Sequence, residues 1–256
     1  MQRAGPCVFM PIGCSGDEAS HVGALCPDEL RQAWLALHTD LDLKPPPGKV
    51  SVYYVGLHAD RRTLPDLVVR SLSGRRKTAC WITGHEAIVI PARARENLGG
   101  RLVHELAHGA LEHAGAPSRL PLSLCEGYAM CGEDRFASLG NGRSRLSWAI
   151  KGFTKALSSG HTFSYDLLCR ISVTDLAKES RYTKAVFYAQ SMLLVKFVLT
   201  HPVQANCPAF RLLCQISPAS NAEPAARIAE LFGFSVDAFA DKYLEFCEGH
   251  NYGSPD

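Results

Sequence analysis

Between Arg101 and His113 the chain reads RLVHELAHGALEH, a run whose pattern commits it to an α-helix with two unlike sides. Leu102, Val103, Leu106, Ala107, Ala110 and Leu111 make an apolar stripe wide enough to bury, and His104 and His108 project away from it. Residues four apart on a helix sit roughly 40° apart around the axis, so the two imidazoles are about one turn apart and can chelate one metal ion. Glu105 lies about 100° round from His104, where it can reach a water beside the metal but is poorly placed to be a ligand itself. One face of this helix is expected to pack and the other to bind.

Two histidines make a weak site, and a hydrolytic zinc usually takes three protein ligands. The third is expected to be Glu126, in the segment LPLSLCEGYA. Seventeen residues separate it from His108. That is room for the first helix to finish, a turn at residues 115–118, and a second helix to return with its carboxylate towards the metal. His113 points roughly 140° away from His108. Glu112, one turn after His108, suits a supporting or solvent-facing carboxylate better than a ligand. Tyr128, two positions after Glu126, is expected to point away from the metal and pack.

The segment resembles the gluzincin metallopeptidases, and more closely the small peptidase MA-like group. The resemblance rests on three stretches: a strand region at residues 81–90, the HELAH helix at 104–108, and a proline-led helix from Leu120 and Pro121 to the Glu-Gly-Tyr-Ala of residues 126–129. Ser123-Leu124-Cys125 stands where the group often has a tryptophan. A further stretch, Tyr188-Ala-Gln-Ser followed by an apolar run to Leu199, looks like the group's tyrosine-led helix. The resemblance spans residues 49–247. It implies a zincin-type fold, one Zn²⁺ held by His104, His108 and Glu126, Glu105 as general base, and Tyr188 as a donor to the developing oxyanion.

Elsewhere the chain reads as an ordinary globular protein, with 256 residues, 46% apolar and 20% charged. Residues 1–24, broken by Pro6 and Pro11, are expected to be a flexible lead with no signal-peptide core. No run approaches the roughly 20 apolar residues of a membrane span. Ten cysteines are scattered without a C-x-x-C pair, which excludes a separate structural zinc site of that kind and favours free thiols in a reducing, cytoplasmic setting. Arginines and a lysine outnumber acids between 61 and 101, but without interleaved aromatics they read as a solvated face rather than a nucleic-acid surface.

Strand-like runs fall at 50–55, 78–83 and 86–90, the last expected to be the edge strand beside the cleft. Helices are expected at 27–41, 64–72, 144–157, 165–171, 182–199, 209–216, 224–232 and 236–247. His85 and Glu86 read as a structural or substrate-facing pair, and His161, His201 and His250 as loop residues. The expectation is a single α+β domain over residues 25–250. Its small N-terminal sheet, in a sub-lobe at 25–116, packs on the active helix, and a helical sub-lobe follows at 117–250. The expected activity is hydrolysis of a peptide or protein substrate. The competing expectation is a zinc-binding scaffold of the same fold that holds a peptide partner without cleaving it.

Overall fold

Short runs rich in β-branched and aromatic residues become strands β2 (Cys7–Ile12), β3 (Val50–Val55), β4 (Cys80–Ile82) and β5 (Ala87–Pro91), and Gln2–Ala4 pairs with β2 as β1. The computed structural model describes residues 2–4, 6–73, 79–92, 97–116, 120–139, 145–200 and 224–250. The five strands form one sheet of order β1-β2-β3-β5-β4. β2, β3 and β5 are parallel, while β1 and β4 run antiparallel to their neighbours at the two edges. Parallel neighbours need long crossovers. The first carries α1 (Gly16–Gly23) and α2 (Pro27–Thr39), and the second carries α3 (Asp66–Ser73) and β4. β5 is buried along its whole length, as a central strand written AIVIP must be.

Two expectations are corrected here. The described residues among 1–24 are not a flexible lead: β2 pairs with β3 from Cys7↔Val50 to Ile12↔Val55, Cys7 and Phe9 are fully buried, and α1 follows. Pro11 is tolerated because β1 pairs only with residues 7–9, so the side of β2 that Pro11 faces asks for no N–H. The edge strand is β4, not the 86–90 run, because the chain doubles back after Ile82 and inserts β5 next to β3.

The remaining helices are α4 (Leu98–His113), α5 (Leu122–Arg135), α6 (Arg145–Ser158), α7 (Tyr165–Arg170), α8 (Val173–Lys178), α9 (Arg181–Thr200), α10 (Pro224–Leu231) and α11 (Val236–Gly249). The fold is therefore α+β. α8 is an addition to the expected set, started by the Ser172 hydroxyl accepting from the Asp175 N–H. The helix expected at 209–216 lies outside the described residues. Among these helices none is long and apolar enough to cross a membrane.

The chain divides into two compact units, residues 1–110 with 132–144 and residues 111–131 with 145–256. In the first, the buried set includes Val52, Tyr54, Ile88 and Ile90 of the sheet with Leu30, Trp34, Leu102 and Leu106 of the helices. In the second, aromatic packing dominates, with the Tyr165 ring 4.9 Å from Phe239 and Phe197 5.2 Å from Phe239. Its buried Gln190 and Tyr243 are satisfied inside it. The Gln190 amide clamps both backbone groups of Phe163 at 2.8 and 3.0 Å, and the Tyr243 hydroxyl donates to the Gln190 carbonyl at 2.7 Å.

Candidate metal centre

Asn97, in a left-handed conformation at φ 61°, starts α4: its carbonyl accepts from the Arg101 N–H at 3.0 Å and its side-chain oxygen from the Gly100 N–H at 3.3 Å. The expected stripe is inside, since Leu102, Val103, Leu106, Ala107, Ala110 and Leu111 are all buried. His104 is also buried and His108 half-buried, their ring centres 5.1 Å apart. α5 begins where the Pro121 carbonyl accepts from the N–H groups of Leu124 and Cys125. Tyr128 is buried, as expected. At Gly127 a Cβ would fall 2.1 Å from the Ser191 carbonyl oxygen, so only glycine lets this turn of α5 lie directly on α9.

His104, His108 and Glu126 each offer one ligand atom, and these atoms all lie within 4.8 Å of one another. Glu112 and His113 are not part of this group. Two imidazoles and a carboxylate are the donors that catalytic zinc takes while keeping one position open.

The surroundings of His104 fit that role. Its Nδ1 faces the Glu133 Oε2 at 3.6 Å, both side chains being almost wholly buried. The other Glu133 oxygen accepts from the Asn97 amide at 3.1 Å. With Nδ1 on the side of this carboxylate, at ion-pair rather than hydrogen-bond distance, Nε2 is the nitrogen left for a metal. Asn97 therefore both starts the histidine helix and holds the acid behind its first histidine. Glu133 was not singled out from the sequence. The available signal was its spacing, seven residues or two turns after Glu126 on one helix.

Glu105 is buried, and its Oε2 accepts from the Trp81 N–H at 2.7 Å. That N–H belongs to the edge strand β4, so the sheet itself orients the carboxylate. Gly109 makes the approach possible: a Cβ there would fall 2.7 Å from the Trp81 indole. Tyr188 stands half-buried on α9, one turn before Ser191, with its ring centre 6.3 Å from Trp148 and 5.7 Å from Phe187. In the second unit, then, the crossing at Gly127 and Ser191 sits one turn from Tyr188.

The other residues weighed from sequence have local roles. His85 and Glu86 form the turn between β4 and β5, with Gly84 and Glu86 at positive φ. His161 contacts the Ser159 hydroxyl at 3.0 Å, and the His250 ring meets the Phe246 carbonyl at 3.1 Å at the end of α11. His201 and most of the basic cluster, Arg75, Arg76, Lys77, Arg93 and Arg95, lie outside the described residues. None of the eight described cysteines is in a disulfide. Burial pushes the thiols of Cys7, Cys169 and Cys247 up to about 12, which keeps them protonated and inert.

No protein-family model matches the chain, and no curated protein matches it.

Proposed function

We propose that the chain is a zinc-dependent metallopeptidase of zincin type, with His104, His108 and Glu126 holding Zn²⁺. The observation that carries this reading is the convergence of those three donors, from two helices, within 4.8 Å, with a buried carboxylate behind His104. Zinc bound there supplies a Lewis acid that lowers the pKa of water and polarises a scissile carbonyl.

The protein's own contribution is orientation and proton transfer. Glu105 takes the proton of the attacking water and delivers it to the leaving amine; the Trp81 N–H holds one of its oxygens while the other is the base. Asn97 holds the Glu133 carboxylate on the Nδ1 side of the first imidazole, where it favours the tautomer with Nε2 turned to the metal. Tyr188, assigned by resemblance to the tyrosine-led helix of peptidase MA-like proteins, donates a hydrogen bond to the oxygen that gains charge. A peptide or protein is the substrate.

Elemental analysis of the purified protein tests the assignment. One zinc per chain is expected, with loss in His108→Ala. Glu126→Ala is expected to weaken zinc far more than Glu112→Ala, since it leaves only two protein donors. Equal zinc in wild type and His108→Ala, or the reverse ranking of the two glutamates, contradicts the site. Zinc without hydrolysis across a peptide library would make the chain a scaffold.

A further inference from the structure

The second unit carries a feature that the proposed chemistry does not use. α6 and α9 together contain Arg145, Lys151, Lys155, Arg181, Lys184 and Lys196 and not one Asp or Glu, in a chain whose 27 basic and 25 acidic residues nearly balance. Elsewhere in this unit acids and bases pair locally, as Asp166 does with Arg170 at 2.9 Å and Asp175 with Lys178 at 3.7 Å. Arg181, Lys151 and Lys155 are exposed and have no carboxylate within 4.0 Å among the described residues.

Two of these cations are ordered by aromatic rings rather than by acids. The Arg181 guanidinium carbon stands 5.8 Å from the centre of the half-buried Trp148 ring, and the Lys155 ammonium stands 5.8 Å from the ring of Tyr182. Trp148 in turn lies 6.3 Å from Tyr188. Ring contacts therefore link Tyr188 to Trp148 and Trp148 to Arg181, all within one unit, and Tyr188 lies one turn from Ser191, which Gly127 touches.

We infer that Trp148 and Arg181, with Lys155 over the ring of Tyr182 next to Arg181 in the chain, form a substrate subsite that recognises carboxylate side chains of an acidic peptide. The inference rests on the metallopeptidase reading for its substrate class and deepens it. The indole offers an apolar platform for the methylenes of a glutamate. It also holds the guanidinium in place, so less freedom is lost when a carboxylate pairs with it. The face suits a short peptide with two or three acids better than a nucleic acid, because it presents only a few cations.

The test uses the zinc-loaded Glu105→Gln full chain, which keeps an acceptor for the Trp81 N–H. It is titrated with fluorescent, end-capped peptide pools that carry either a Glu-Glu or a Gln-Gln pair. The Glu-Glu pool is expected to bind about fivefold to tenfold tighter at low salt, with the preference shrinking as salt rises. Arg181→Gln should abolish the preference, Arg181→Glu should invert it, and Trp148→Ala should weaken it. Thermal melting controls for folding, and Arg181 is exposed, so its variants are expected to melt like the parent.

Equal affinity for the two pools, no binding of either, a preference that survives Arg181→Gln, or tighter binding of a single-stranded oligonucleotide of equal charge each overturns the proposal. Wild-type hydrolysis of the same pools separates the two levels. An acidic preference without hydrolysis leaves the subsite standing and removes the peptidase reading, whereas hydrolysis without preference removes the subsite alone.

Discussion

Glu133 is the buried acid behind the candidate metal centre. A histidine free to rotate would present either nitrogen, but a buried carboxylate stands 3.6 Å from the His104 Nδ1, and the Asn97 amide holds that carboxylate in place. Glu133→Ala is therefore expected to lower zinc affinity about tenfold to a hundredfold. Competition with a metal-buffering chelator measures this directly, and an affinity within about twofold of wild type would remove Glu133 from the site. The cysteines give a second check at this scale. Exposed Cys26 is expected to alkylate first, and buried Cys7, Cys169 and Cys247 only on unfolding. Mass-spectrometric mapping after a short iodoacetamide pulse reads the order, and rapid labelling of the three buried thiols would contradict their place in the core.

At the scale of elements, α1 shows how a short helix is tied to the sheet. The Ser15 hydroxyl accepts from the Glu18 N–H at 3.3 Å, and the Glu18 carboxylate answers by accepting from the Ser15 N–H at 2.7 Å and from the Leu57 N–H at 3.0 Å. Those N–H groups of Ser15 and Leu57 hold the Glu18 carboxyl below its ordinary value of 4.5. Because the folded value is the lower one, ionised Glu18 contributes its full stability above pH 4.5 and loses it as pH falls through the folded value. Wild type should thus be more stable than Glu18→Gln at pH 7, with the difference shrinking below pH 4.5. Urea melts at a series of pH values measure it, and a difference that grows on acidification would contradict the cap.

This cap was legible in the sequence as Ser-x-x-Glu at residues 15–18, a signal obscured by reading the prolines around it as disorder. Long periodic helices were legible almost to the residue, α9 at Arg181–Thr200 against an expected 182–199. A helix writes its core face into one stretch of chain. Strand order was not legible, because pairing Cys7 with Val50 or placing β4 outside β5 depends on distant contacts that no local pattern records.

At the scale of the molecule, the α+β character follows from strand-forming runs before residue 91 and helical periodicity after it. The candidate ligand group of His104, His108 and Glu126 was legible because its residue types and spacing are both local to two helices. What supports them was less so: the Trp81 N–H and Glu133 reach the site through the sheet edge and through a second helix, and neither announces itself by residue type. The central claim is that this arrangement hydrolyses peptide bonds with Glu105 as the base. The most direct measurement is peptide hydrolysis by Glu105→Gln against wild type at matched zinc content and matched melting temperature. Glutamine is nearly isosteric and still accepts from Trp81, but it cannot take a proton at neutral pH. The expected result is retained zinc and fold with hydrolysis lowered about a hundredfold to ten-thousandfold. Hydrolysis within about threefold of wild type would contradict the account.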